Sequence, residues 1–317
     1  MRLKKLAAIG LAAVMAASTL TGCSGGDDSA DGKKKIGVVQ LVEHDALDSA
    51  YKGFKDGLEE AGYKDGDNIE IEYKNAQNEQ SNCQTIAQQF VTDKCDLVLA
   101  IATPAAQAMA NESKDIPILV TAVTDPADAK LTPVAKQMNL LKELVPDAKK
   151  VAMLYCSAEA NSKFQVDLAK KAAKKLGLDT VDATVSESSE IRQVVESLKG
   201  KVDAIYSPTD NMIAAGINTV TMVANEAKLP LIVGEEGMCQ GGGLATYGIN
   251  YYKLGKQTAA QAVKILKGEA EPKDMPIEYQ ENADLIINED TAKELGITIP
   301  DNLKKEAKMV TTQKTAE

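Results

Sequence analysis

Leu97-Val98-Leu99-Ala100-Ile101-Ala102-Thr103-Pro104 decides how this chain is read, because an apolar run of strand length ends there on a hydroxyl followed by proline. Apolar residues without alternation suit a strand covered on both faces. Thr-Pro suits a helix start, with the hydroxyl as N-cap and the proline, fixed in φ and lacking an N–H, as the first helical residue. A strand that runs directly into a helix is half of a βαβ unit.

The same order recurs on both sides of this stretch. Strands are predicted at 36–42, 69–73, 97–102, 116–123, 151–156, 180–185, 204–207 and 231–233. Helices are predicted between them at 49–61, 81–91, 133–144, 161–176, 190–198, 211–227 and 253–266. Such alternation implies right-handed crossovers and a parallel sheet. The series runs from Lys35 to Ala122 and restarts from Lys149 to Gly234, after the helix at Pro133. The fold class is therefore α/β, with two doubly wound parallel-sheet lobes favoured; periodicity by itself leaves one wide sheet as the alternative. A length of 317 residues suits two domains of roughly 150 residues each. The tail from Asp301 to Glu317, rich in Lys, Glu and Thr, is expected to fray.

Before the first strand, Met1-Arg2-Leu3-Lys4-Lys5 leads into an uncharged apolar run from 6 to 20. This is the layout of a secretory signal, too short to span a bilayer comfortably. The run ends on Leu20-Thr21-Gly22-Cys23, which resembles a bacterial lipobox, with residues 1–22 removed and Cys23 lipidated. An ordinary cleaved signal with a chance cysteine is the alternative. Residues 23–34 read as a solvated tether, since Gly, Ser and Asp dominate and little there can be buried. The expected location is the outer face of the cell membrane.

The net charge of −10 becomes −13 without Arg2, Lys4 and Lys5. That balance disfavours nucleic acid and anionic headgroups as partners, so membrane contact is left to the lipid alone. Cys83 and Cys95 flank a helical stretch whose rise of about 1.5 Å per residue separates them beyond the ~7 Å that a disulfide spans. They, Cys156 and Cys239 are read as free. Neither a CxxC pair nor a second histidine beside His44 is present, which argues against a zinc site.

In parallel sheets ligands bind beyond the carboxyl ends of the strands, and those loops are polar here. Thr103 and Pro104 follow one strand; Ser157, Asn161 and Ser162 follow another. Thr209, Asp210 and Asn211 follow a third, and Glu235 and Glu236 a fourth. Helix N-termini and hydroxyls can hold a carboxylate, and facing carboxylates can hold an amine. A zwitterion would suit both, with Asp210 or a glutamate on its ammonium and the Thr103 region on its carboxylate. Each of these residues is also an ordinary cap in any α/β protein. His44, in Val42-Glu43-His44-Asp45 after the first strand, can stack on or hydrogen-bond a ligand, or stand as a surface side chain.

Several stretches together carry a family likeness: 35–38, 42–48, 53–58, Ala100-Ile101-Ala102-Thr103-Pro104-Ala105-Ala106-Gln107 and Ala122-Val123-Thr124-Asp125-Pro126. Ser207-Pro208-Thr209-Asp210-Asn211, Glu235-Glu236-Gly237 and Ala245-Thr246-Tyr247-Gly248 continue it. They resemble the substrate-binding lipoproteins of ABC importers in the tryptophan/tyrosine-type group, from about Lys33 to Pro300. The resemblance implies a periplasmic-binding-protein-like type I fold, two lobes on a hinge with a ligand closed between them. It implies an N-terminal lobe of 35–130 plus about 250–283, a C-terminal lobe of 131–249, and a segment 284–317 returning to the lobes. Ligand contact is carried by the resemblance onto Glu43, His44, Thr103, Asn161, Ser162, Thr209, Asp210 and Glu235. Thr124 and Asp125, in a resembling stretch, join the candidate set. Some members of the group take aromatic amino acids, which leaves the ligand open. One departure stands out: Lys130 runs straight into Leu131-Thr132-Pro133, where the family has about twenty further residues, including a hinge strand.

The leading expectation is a monomeric, lipid-anchored receptor that captures a small polar ligand, an amino acid, for an ABC permease and its ATPase. No cofactor is expected. An enzyme on the same architecture finds little support, since no Gly-x-Gly-x-x-Gly, Walker loop or Gly-x-Ser-x-Gly elbow occurs. A sensor presenting the closed lobes to a membrane receptor is the alternative. A sugar-responsive repressor is disfavoured by the export leader.

Overall fold

The computed structural model describes residues 32–124, 133–280 and 282–313. The leader, Cys23, Asp125 and the departure after Lys130 lie outside the described residues.

Two separate sheets form. The first holds β1 (Lys34–Gln40), β2 (Ile69–Asn75), β3 (Leu97–Ile101) and β4 (Ile118–Thr121), in the order β2-β1-β3-β4 and parallel throughout. The helices α1 (Asp45–Glu60), α2 (Gln80–Thr92) and α3 (Thr103–Glu112) follow successive strands. The apolar runs are buried as the continuous pattern requires: every residue of β3 is inaccessible. Phe54 and Leu58 of α1, and Phe90 of α2, complete this core. Fully burying such a side chain contributes roughly 1.5–3 kcal/mol.

The second sheet holds β5 (Lys150–Cys156), β6 (Asp179–Val185), β7 (Ala204–Ser207), β8 (Leu231–Val233), β9 (Ala245–Gly248), β10 (Asp284–Asn288) and β11 (Lys308–Val310). Their order is β11-β10-β9-β8-β7-β5-β6, parallel except for the β9–β10 pair. One face packs on α4 (Val134–Leu144), α5 (Ala160–Lys175), α11 (Glu289–Leu295) and α12 (Asp301–Glu306) through Met138, Leu141, Val166, Ala169, Ala292 and Leu303. The other packs on α6 (Ile191–Glu196), α7 (Asn211–Ala215), α8 (Ile217–Glu226) and α9 (Glu236–Gln240). The four cysteines of the described residues are free and buried.

Three strands escaped the sequence pattern. β9 and β11 are short and half polar, and β10 follows a long irregular stretch. The expected fraying from Asp301 is corrected through Val310, because Leu303 is buried and β11 pairs with β10. From β9 the chain enters α10 (Tyr251–Leu266), which leaves the second sheet and packs lengthwise on α1. Glycines make this crossing close: a Cβ on Gly53 would lie 2.1 Å from the Tyr252 carbonyl oxygen, and one on Gly255 2.0 Å from that of Ala50.

In both sheets strand order reverses beside the first strand, between β1 and β3 and between β5 and β7. Such switch points open a crevice at the strands' carboxyl ends. The loops after β1, β3, β5 and β7 therefore converge.

Candidate functional site

These loops enclose a cavity of about 560 Å³. On the side of the first sheet, Ala102 and Ala122 end β3 and β4 with φ of 82° and 57°. Left-handed φ at a residue with a Cβ is strained, and such strain collects at ligand sites. The turn at Ala102 aims the start of α3 at the cavity. Thr103 is the first residue of that helix and not its cap; Ala102 occupies the cap position, and Pro104 sits second. The Thr103 hydroxyl instead accepts the Thr124 N–H at 3.3 Å, tying β4's exit to the helix. The first-turn N–H groups lie at the positive end of the helix dipole.

On the side of the second sheet the wall is carboxylate. Asp210 is the N-cap of α7: Oδ1 accepts the Ile213 N–H at 2.9 Å and Oδ2 the Cys156 N–H at 2.6 Å. Burial raises its pKa, and neighbouring Glu159 raises it further. Glu235 caps α9 by accepting the N–H groups of Gly237 and Met238, both at 2.6 Å. Burial brings Glu235 up to about 7. The capping role and a place on the cavity wall are thus held by the same residues.

Contacts span the gap between the lobes. His44, at the N-cap position of α1 without a capping bond, places Nε2 3.4 Å from Asn211 Oδ1. Burial lowers this imidazole to about 4, so it is neutral. Gln165 Nε2 donates to Thr209 Oγ1 at 2.6 Å and to Thr124 Oγ1 at 3.3 Å, joining α5 to the exit of β4. Phe164, Tyr251 and Tyr279 supply aromatic wall.

Of the residues proposed from sequence, the cavity brings together His44, Thr103, Thr124, Asn161, Thr209, Asp210, Asn211 and Glu235. The others sit elsewhere. Glu43 is exposed and accepts from the Tyr73 hydroxyl, and Ser157 donates to the Val185 carbonyl. Ser162 is buried behind Asn161, and Glu236 pairs with Lys308. Sequence reasoning missed Phe164 and Gln165, one turn into α5, and Glu159, the N-cap of that helix. It also missed Tyr251, although that residue follows the carboxyl end of β9; recognising the strand would have found it by the rule that found Asp210.

Known proteins share this fold. A family model described as ABC transporter substrate binding protein matches residues 35–137 and 131–311, two stretches that overlap at 131–137. A tyrosine-binding protein of Clostridioides difficile (strain R20291) is 44% identical over 330 residues, covering 95% of each chain. A solved ABC domain from Streptococcus pneumonia in complex with L-Trp superposes with a TM-score of 0.82 at 40% identity, over 88% of this chain and 99% of that one. The ligand-free, open structure of a substrate binding protein with adhesive properties from Clostridium difficile reaches 0.63 at 44% identity, over 88% and 100%. With two α/β lobes around a shared cavity and a family match across both of them, the chain belongs to the ABC transporter substrate binding protein family.

Proposed function

We propose that this chain captures an aromatic L-amino acid between its lobes and delivers it to an ABC permease and its ATPase. The observation that carries the reading is the cavity itself. It has the size of a small-molecule site, a helix N-terminus on one side for a carboxylate, and buried carboxylates on the other for an ammonium. Phe164, Tyr251 and Tyr279 suit an aromatic side chain between these ends. The named ligands of the relatives, tyrosine and L-Trp, favour the same class. The better superposition on the L-Trp complex than on the open, ligand-free relative, despite lower identity, supports a closed arrangement of the lobes.

Ligand binding acts by favouring the closed form through contacts made to both lobes at once. Binding is the role this supports: His44 is neutral and hydrogen-bonds an amide across the gap. Anchoring through a lipid on Cys23, outside the cell, is supported by the leader and by Leu20-Thr21-Gly22-Cys23.

Calorimetric titration of the protein with each of the twenty amino acids tests the ligand class. L-Tyr or L-Trp is expected to bind one to one; no heat with any of them overturns the reading. Labelled palmitate incorporated by the wild type and lost in Cys23→Ala tests the anchor.

A further inference from the structure

Glu159, in the loop after β5, stands behind the cavity wall with both carboxylate oxygens engaged. Oε1 accepts the backbone N–H groups of Asn211 and Met212 at 3.1 and 3.0 Å. Oε2 accepts the side-chain amides of Asn161 and Asn211 at 2.8 and 2.6 Å, and the Asn211 N–H at 3.2 Å. These partners dictate how each amide lies, because the nitrogen and oxygen of an asparagine are told apart by their hydrogen bonds. Asn161 is held from two sides. Its Nδ2 also donates to the Thr209 carbonyl oxygen at 3.3 Å, so an inverted amide would set oxygen against two acceptors.

For Asn211 the consequence crosses the gap between the lobes. Its Oδ1 is an acceptor and lies 3.4 Å from His44 Nε2, so the histidine must carry its proton on Nε2 and leave Nδ1 as an acceptor. Because burial keeps the ring neutral, one tautomer must be chosen. A second observation points to a missing partner. Asn161 lines the cavity at 5% exposure, and its Oδ1 is buried with no hydrogen bond. A buried acceptor of this kind calls for a donor.

We propose that Glu159 is the positioning residue of the cavity: it turns the amide oxygens of Asn161 and Asn211 away from itself, sets the Nε2–H tautomer of His44 across the gap, and makes this wall a surface of acceptors that selects a ligand carrying a protonated amine. The inference rests on the amino-acid reading above and adds how the amine is distinguished. Asp210 and Glu235 contribute to the same acceptor wall, but their oxygens are held by backbone N–H groups, whereas Asn211 takes its sense from Glu159 and Asn161 from Glu159 together with the Thr209 carbonyl oxygen.

Glu159→Gln separates this role from capping. The backbone N–H groups of Asn211 and Met212 cannot turn, so the glutamine oxygen keeps them, and its Nε2 replaces Oε2. Facing a donor, Asn211 inverts and presents Nδ2 to His44, whose proton moves to Nδ1, while Asn161 is left between that donor and the Thr209 carbonyl oxygen. His44 is the chain's one histidine, so a single pair of ring signals reports the change.

Nitrogen-15 spectra of untagged wild type and E159Q, recorded as isolated and with saturating L-tyrosine, are expected to show Nε2–H in the first and Nδ1–H in the second. The same tautomer in both proteins, or Nδ1–H in the wild type, overturns the proposal. The wild-type spectrum decides alone if the variant does not fold. The second readout is the ratio of affinities for L-tyrosine and 3-(4-hydroxyphenyl)propionate, which lacks the amine. A site built around hydrogen bonds rejects an analogue that leaves them unmade, and the ratio is expected to fall by about tenfold or more in E159Q. A merely structural Glu159 would weaken both ligands alike, and an unchanged ratio overturns the proposal. Failure of the wild type to bind L-tyrosine or L-tryptophan would count against the proposed function, while the tautomer would still decide the role of Glu159.

Discussion

Gly53→Ala puts the close crossing of α1 and α10 to the test. The added Cβ would stand 2.1 Å from the Tyr252 carbonyl oxygen and 3.2 Å from the Lys256 nitrogen, both backbone atoms of α10. Neither can swing aside as a side chain would, so the two helices must part by about 1 Å to restore van der Waals contact. Overpacking of this kind costs roughly 1–3 kcal/mol, and a rigid backbone partner favours the upper figure. Alanine returns up to about 1 kcal/mol of helix propensity. The net loss is therefore about 2 kcal/mol, and at about 2–4 °C per kcal/mol for a chain of this size the melting temperature should fall by roughly 4–8 °C. Because His44 precedes α1 at its N-cap position and Tyr251 begins α10, both on the cavity, affinity should fall too. Scanning calorimetry of the wild type, Gly53→Ala and Gly177→Ala makes the comparison. Gly177 has φ of 71° with nothing near a Cβ, so only the left-handed backbone penalty of about 1 kcal/mol applies there. A Gly53→Ala midpoint within 2 °C of wild type, or above that of Gly177→Ala, would refute the account of the crossing; here about 2 °C is the effect of under 1 kcal/mol.

Other expectations follow from single contacts. Tyr206→Phe keeps the buried ring but strands Gln137 Oε1, which accepts the hydroxyl at 2.8 Å, and urea titration should show a loss of about 1–2 kcal/mol without a change in ligand affinity. Asp210→Ala removes the acceptor for the Ile213 and Cys156 N–H groups, so both stability, by about 2–4 kcal/mol, and binding should drop; a variant as stable as wild type would contradict the capping geometry. His44→Ala deletes a contact between the lobes worth about 1 kcal/mol, near fivefold in ligand affinity by calorimetry, and equal affinities would place that contact outside the bound form. Glu235 is raised from 4.5 to about 7, so the folded protein holds the proton more tightly than the unfolded chain. Its contribution to stability is complete below 4.5 and is lost as pH rises through about 7. Melting temperatures of the ligand-free protein should show this decline between those limits, and Glu235→Gln should flatten it; parallel curves would remove Glu235 as the cause.

Much of the architecture was legible because it is local. Burial on both faces writes an unbroken apolar run such as Leu97–Ile101, and a helix start writes Thr-Pro or Asp-Asn directly after it, so strands, helices and the loops between them share one stretch of chain. The carboxyl-end rule, applied to the sequence, reaches His44, Thr103, Thr209, Asp210 and Glu235, all of which line the cavity. It failed at β9, whose Ala-Thr-Tyr-Gly is too short and polar to announce a strand, and Tyr251 was lost with it.

What the linear chain determined by itself is the alternation of elements, the two series of them, and the polar ends where a ligand would sit, since each depends on residues a few positions apart. The close glycine crossing of α10 on α1, the antiparallel β9–β10 pair and the hold of Glu159 on Asn211 were decided only by the tertiary structure. Each joins residues tens to hundreds of positions apart. Whether a glycine opens a helix crossing, or a carboxylate turns an amide, depends on which distant partner the packed lobes bring within reach.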